Sequence, residues 1–496
     1  MADVERSLLN HHVSSDPDEL PPKDSTAPSL TFFSSLAIVL GLQIGSGIFS
    51  TPSQVAQHVQ SPGEGILIWI FAGLLAWTGA ASFIELGMNV SRNGGIQEYL
   101  QDCYGDYAGL LFSWLWIFIT KPSANATIVT ILADYLASAL FPSGASVLIK
   151  KLISVAAIVL ISLANCAGAR LGSQVANGFL VLKLILAGSI IFIGLAACIW
   201  IGEGVPSSPT GWFGVPDSAV PVTPWERLGN TTTAVLGALF SYGGWESIGF
   251  VVGDMRNPRS LPLVLNSSMM ITIPVFTLLV TAFYLCLPLD EIKSTTTLAV
   301  LFGMKILGPT GKFLYSIAIA VSAAGALNSN IFANCRLCVI ASNRRYFPAI
   351  FGRTENEPRT RNRGGERFGL KYVLNAIFLN AMMASTYTIL GTFDQLLVFV
   401  SLSEYLIFFF CVVGIFIIRA RPRAVEDPQP YRTWTFNPVL FTIISGLLVL
   451  RGILANIFQG FAMVVVLAVG WAFYWLYFKK QVSRSGETRS YASDDD

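Results

Sequence analysis

Gly41-Leu42-Gln43-Ile44-Gly45-Ser46-Gly47-Ile48-Phe49, continuing into Ser50-Thr51-Pro52, lies inside a run from residue 25 to residue 63 that has no Asp, Glu, Lys or Arg. A bilayer core about 30 Å thick is crossed by about 20 mostly apolar helical residues, so the run is long enough to span a membrane. Glycine costs about 1 kcal/mol relative to alanine inside a helix. Two glycines so close together therefore invite a break, although small residues also serve simply to pack helices together. A second stretch of the same character, Phe240-Ser241-Tyr242-Gly243-Gly244-Trp245, closes another charge-free run, 228 to 245.

The surrounding chain belongs to the same class. Of its 496 residues 53% are hydrophobic and only 12% charged, against roughly 25% charged in soluble globular proteins. That excludes an ordinary soluble enzyme. A net charge of +2 excludes the basic face of a nucleic-acid binder. The histidines are His11, His12 and His58 alone, which leaves the apolar body without His-ligated metal or His-based acid/base chemistry. No nucleophile–base constellation appears, so no enzyme, cofactor or metal site is expected. Cys335 and Cys338 have CxxC spacing in an apolar run without a second pair and read as packing residues.

Ten charge-free runs of eighteen or more residues, with 107–140 (broken by Lys121 and Asp134) and 395–418 (broken by Glu404), make twelve candidate spans. The predicted fold is an all-α polytopic membrane protein, because helices satisfy their own backbone in lipid. Residues 1–30 read as a disordered tail, 31–202 as spans one to five, 228–419 as spans six to ten, 433–479 as the last two, and 480–496 as a second tail. With those spans in place, 22 Lys and Arg fall on the side of both termini and 7 on the other. The positive-inside rule then puts both termini in the cytoplasm.

The glycine-interrupted spans are the first and the sixth, so each opens a block of five helices, and the second block crosses the membrane in the opposite sense. Inverted repeats of this kind build many secondary transporters, with the substrate held at the broken helices. Where the first helix restarts, the N–H groups near Ser46, Gly47 and Ile48 suit a carboxylate. Where the sixth stops, the carbonyls near Phe240, Ser241 and Tyr242, with that of Ile44, suit an ammonium. A zwitterionic amino acid fits both.

Ile44-Gly45-Ser46-Gly47-Ile48-Phe49 resembles the first-helix signature of the L-type amino acid transporter family within the amino acid, polyamine and organocation superfamily. Phe240 to Trp245 is similar to its sixth-helix motif, and Asn257-Pro258-Arg259-Ser260-Leu261-Pro262 to the loop that follows. Glu85-Leu86-Gly87 with Gly94-Gly95, and Ala326-Leu327-Asn328 through Arg336-Leu337, also match. Lys121-Pro122-Ser123-Ala124-Asn125 is similar to fungal members described as methionine permeases. The resemblance covers roughly residues 31 to 480 and implies a LeuT-like fold, with a 5+5 inverted repeat and discontinuous helices 1 and 6. It implies sodium-independent, alternating-access transport of large neutral L-amino acids, methionine- or leucine-like, by exchange or proton linkage. By matched position, Gly45, Ser46 and Gly47 would hold the carboxylate and Ile44, Phe240 and Gly243 the amine. Phe240 would also close the outer gate, and Trp245 would wall the side-chain pocket, beside Ser241 and Glu246. Other readings are an amino-acid-sensing receptor with little transport, and a cationic amino acid or polyamine permease of the same fold.

Ionisable residues within spans are candidate functional sites. Lys183, in the fifth, reads on residue type alone as either a snorkelling or a functional lysine. The resemblance implies that its ammonium replaces an ion, linking the broken first helix to Ser322. Glu246 has three open readings: a proton-coupling group, a partner for a cationic side chain, or a carboxylate in a hydrated vestibule. Lys121 and Glu404 are a possible pair. Glu85 and Arg336, with Arg92 and Asp254, read as a structural or inner-gate network. Mammalian members of the family this chain resembles often join a single-span heavy subunit through a cysteine between helices three and four. The segment Phe141-Pro142-Ser143-Gly144-Ala145-Ser146 has none, so no disulfide-linked heavy subunit is expected. The partners expected are the substrate and the lipid bilayer, in the plasma membrane.

Overall fold

The computed structural model describes residues 31–90, 95–141, 144–167, 172–201, 211–214, 223–250, 252, 255–344, 346–351, 370–421 and 431–478. Both tails, Arg92 and Asp254 lie outside the described residues, as does the side chain of Arg336. Among the described residues the chain is helical, without a β-strand. Nine helices among the described residues are long and apolar enough to cross a membrane. The first expected span falls short of that length because it is cut in its middle, and the described apolar part of the ninth is the shorter helix Leu374–Leu390. The sixth keeps a 19-residue helix, Pro224–Tyr242, whose first half, with Glu226, Arg227, Asn230 and three threonines, is too polar to qualify. The protein is an all-α, multi-pass membrane protein, as its composition predicts.

The first span is α1 (Phe32–Gln43), a 3₁₀ turn at Gly47–Phe49, and α2 (Thr51–Gln57). Next comes α3 (Pro62–Asn89), whose first turn is fixed by Ser61 accepting from the Glu64 N–H at 3.3 Å. After α4 (Ile96–Tyr104), the third span is α5 (Asp106–Leu115), a π turn at Trp116–Thr120, and α6 (Lys121–Leu140). Helices α7 (Val147–Ala167) and α8 (Gly172–Ile201) complete the first block. The sixth span is α9 (Pro224–Tyr242), then a 3₁₀ segment at Trp245–Phe250. Pro224 and a reciprocal capping box between Thr223 and Glu226 start α9.

Further along are α10 (Leu261–Cys286), α11 (Leu289–Ser294), α12 (Leu298–Asn343), α13 (Leu370–Leu390), α14 (Phe393–Ala420), α15 (Phe436–Ala455) and α16 (Ile457–Phe473). Inside α12, Gly308 at φ +68° followed by Pro309 bends the chain, so a short leading helix precedes the spanning one.

Apolar side chains gain little by meeting one another in lipid, so buried polar pairs and small residues must help specify the helix contacts. Asn125 of α6 donates to Asn380 of α13 at 2.9 Å, Asn165 of α7 to Asn328 of α12 at 2.8 Å, and Thr272 of α10 to Gln43 of α1 at 3.3 Å. Trp69, Tyr242 and Phe276 form a buried aromatic contact joining α3, α9 and α10. These contacts hold α1 and α9, each at its break, side by side.

Candidate substrate site

At the end of α1 the Ile44 N–H still reaches the Leu40 carbonyl at 2.8 Å, but Ile44 itself has left the helix at φ −78°, ψ 70°. Backbone bonding resumes with Phe49 to Ser46 at 3.3 Å and Ser50 to Gly47 at 2.9 Å. The amides of Ser46, Gly47 and Ile48 therefore have no acceptor among the described residues. They are the free donors of a restarting helix and carry its positive dipole end.

The sixth span breaks beside them. Gly243 caps α9, donating to Phe240 at 3.3 Å, and Gly244 follows at φ +106°. A Cβ on Gly244 would stand 2.9 Å from the Leu42 carbonyl carbon, so only glycine permits this approach to the break in the first span. The Thr51 and Ser241 hydroxyls join the two at 2.7 Å, and Thr51 also donates to the Gly47 carbonyl at 3.0 Å.

Between the breaks is a cavity of about 120 Å³. Gly45, Ser46, Gly47, Phe240, Ser241, Gly243 and Glu246 line it, together with Lys183. Gly47 lies beneath the Phe240 ring, where a Cβ would be 3.1 Å from its edge. Three expected residues do not line the cavity. Ile44 is fully buried in the helix packing and can offer only its carbonyl. Trp245 turns away, its ring fully buried against Phe83 at 4.9 Å and Phe408 at 5.1 Å, so it does not wall the cavity. Ser322 is buried on α12, its hydroxyl without a hydrogen-bond partner among the described residues.

Lys183 donates to the Gly41 carbonyl of α1 at 3.0 Å. It makes the expected link to the broken helix but no hydrogen bond to Ser322 among the described residues. Glu246 has a use that sequence reasoning did not find: its carboxylate accepts from the Gly244 N–H at 2.7 Å and the Ser247 hydroxyl at 3.2 Å. It thus satisfies a backbone donor exposed by the break. The sequence signal was local, an acidic side chain two residues past a glycine pair.

Lys121 and Glu404 both line the cavity, but no ion pair within 4.0 Å joins them. Lys121 owes its position to the π turn. Pro122 has no N–H to give Phe118, and Tyr387 of α13 donates to that carbonyl instead, at 2.9 Å. The Lys121 ammonium lies 4.6 Å from the centre of the Trp116 ring. Ala124 and Ile128 of α6 and Ser329 and Asn330 of α12 complete part of the wall; small or neutral residues in apolar helices gave no signal of this. Glu85 forms a bidentate pair with Arg419, at 2.8 and 2.7 Å, and accepts from the Thr433 N–H at 2.8 Å. Arg419 is thus its partner among the described residues, while the side chains of Arg336, Arg92 and Asp254, grouped with it from the sequence, lie outside them.

A family model described as Amino acid permease matches residues 30–479. The chain belongs to that family. The permease is 27% identical to the b(0,+)-type amino acid transporter 1 of Homo sapiens over 460 residues, 92% of this chain and 89% of the relative. It is 24% identical to the large neutral amino acids transporter small subunit 2 of Oryctolagus cuniculus over 457 residues, 89% and 80% of the two chains. To the Asc-type amino acid transporter 1 of Mus musculus it is 25% identical over 437 residues, 88% and 78%. The permease is an amino acid transporter of the L-type group and not an enzyme.

Proposed function

We propose that this permease carries large neutral L-amino acids, methionine- or leucine-like, by alternating access and without sodium. The observation that carries the reading is the pair of facing breaks. Free N–H groups at Ser46 and Gly47, with that of Ile48 next in the chain, and the carbonyl end of α9 meet at one cavity lined by Ser46, Gly47, Phe240 and Ser241, matching the two charges of a zwitterion. The lining favours an uncharged substrate side chain, since Lys121 and Lys183 offset Glu246 and Glu404. Lys183 supplies a fixed positive charge against the end of α1, which removes the need for a cation there. Ser322, buried with a hydroxyl that is unbonded among the described residues, would meet that ammonium in another conformation of the cycle.

The excess of 22 over 7 basic residues supports cytoplasmic termini, and the plasma membrane is the proposed location. One relative is named a small subunit. For this chain we propose operation without a disulfide-linked heavy subunit, because residues 141–146 contain no cysteine; a non-reducing pull-down with a covalently attached subunit would contradict that.

The test is uptake of labelled methionine and leucine by the purified protein in liposomes, with sodium or choline outside and with or without internal amino acid. Equal flux in both salts is expected, and stimulation by internal substrate identifies exchange. Binding without flux for any of the twenty amino acids would favour a receptor.

A further inference from the structure

Four ionisable side chains line the cavity, and three of them are engaged. Lys183 is bonded to the Gly41 carbonyl, Glu246 to the Gly244 N–H and the Ser247 hydroxyl, and the Lys121 ammonium sits over the Trp116 ring. Glu404 of α14 differs. It is only 9% exposed, yet among the described residues no hydrogen bond and no ion pair within 4.0 Å holds its carboxylate. Lys121 attracts this carboxylate only from beyond ion-pair distance. A buried carboxylate that accepts no hydrogen bond is unfavourable, and a cation entering the cavity would complete its bonding.

The position of the carboxylate says which cation fits. Oε2 of Glu404 is 3.8 Å from the place a Cβ would take on Gly243. Gly243 caps α9, whose last carbonyls carry the negative dipole end. Full and partial negative charge therefore converge at the break, opposite the free amides of Ser46, Gly47 and Ile48. A group that satisfies both ends carries its cation and its carboxylate close together, as an α-amino acid does.

We propose that Glu404 is the counter-charge for the α-ammonium group of the substrate, a specificity-determining residue that makes a free α-amine a condition of recognition. The proposal rests on the transport reading above. It assigns Glu404 to the part of the substrate common to all amino acids and leaves the side chain to other walls, including Ala124 and Ile128.

The test compares wild-type protein, Glu404→Gln and Glu404→Asp in liposomes. Uptake of labelled L-leucine is measured against unlabelled L-leucine, its α-hydroxy acid analogue and L-lysine. Losing a charge-assisted hydrogen bond predicts that Glu404→Gln raises the leucine KM by roughly 10- to 100-fold and leaves inhibition by the hydroxy acid unchanged; Glu404→Asp restores part of the preference for the amine. Equal weakening of amine and hydroxy acid, no change in either, or loss of lysine recognition alone would each overturn the assignment while leaving transport intact. If Glu404→Gln does not fold, Glu404→Asp decides alone: an amine-to-hydroxy-acid preference equal to that of wild type overturns the proposal. Wild-type protein that moves none of the twenty amino acids would overturn the transport reading and this assignment together.

Discussion

The ammonium of Lys183 on α8 donates to the carbonyl of Gly41 on α1 at 3.0 Å, three residues before the Ile44 break. Carbonyls at a helix end lack intrahelical donors and carry partial negative charge, and the lysine brings a full positive charge to them without an ion. Lys183→Met should therefore lower the transport rate by roughly 10-fold or more, the equivalent of a charge-assisted hydrogen bond, with the protein still folded. Initial rates in sodium and in choline check this; a wild type that needs sodium contradicts the surrogate-cation role.

Gly47 sits under Phe240, and a Cβ there would be 3.1 Å from the ring edge and 3.3 Å from the Ser241 hydroxyl. Gly47→Val should abolish uptake, because the added branches occupy the space before the free amides. Gly47→Ala should be intermediate, since the ring must give by a few tenths of an ångström. Near-normal uptake by the valine variant would remove the break from the substrate site.

For Glu246, the bonds to the Gly244 N–H and the Ser247 hydroxyl lead us to propose a capping role ahead of proton coupling. An amide oxygen can still accept from Gly244, so Glu246→Gln should keep most of the transport and leave its dependence on a pH gradient unchanged. Glu246→Ala should lower thermal stability by about 1 kcal/mol, as loss of a cap does. A pH-gradient response present in wild type and absent from the glutamine variant would restore the coupling reading.

The Glu85–Arg419 pair is well shielded, with side chains 2% and 15% exposed. Removing one partner strands the other, so Arg419→Ala should destabilise by roughly 3 kcal/mol. Glu85→Ala in addition should return part of the loss. A double-mutant cycle on thermal unfolding measures the coupling, and strictly additive losses would show that the pair contributes nothing specific.

The spans and their two interruptions were legible in the sequence because a bilayer imposes a length, excludes charge and penalises glycine. Gly45, Gly47, Gly243 and Gly244 announced the breaks, and the scarcity of charge made Lys183 and Glu246 visible. Side-chain direction was not legible. Trp245 follows the glycine pair directly, but the 3₁₀ segment turns it onto Phe83 and Phe408. Lys121 reaches the cavity through a π turn whose freed carbonyl is satisfied by Tyr387, more than 250 residues away. Arg419 as the partner of Glu85 is equally remote in sequence.

The central claim is that the facing helix breaks hold the amino acid. Its most direct test is an electron cryomicroscopy structure of the protein with saturating L-methionine or L-leucine. The account predicts ligand density with its carboxylate on the amides of Ser46, Gly47 and Ile48 and its ammonium between the end of α9 and Glu404. Ligand bound elsewhere, with this cavity empty in a preparation that transports, would contradict it.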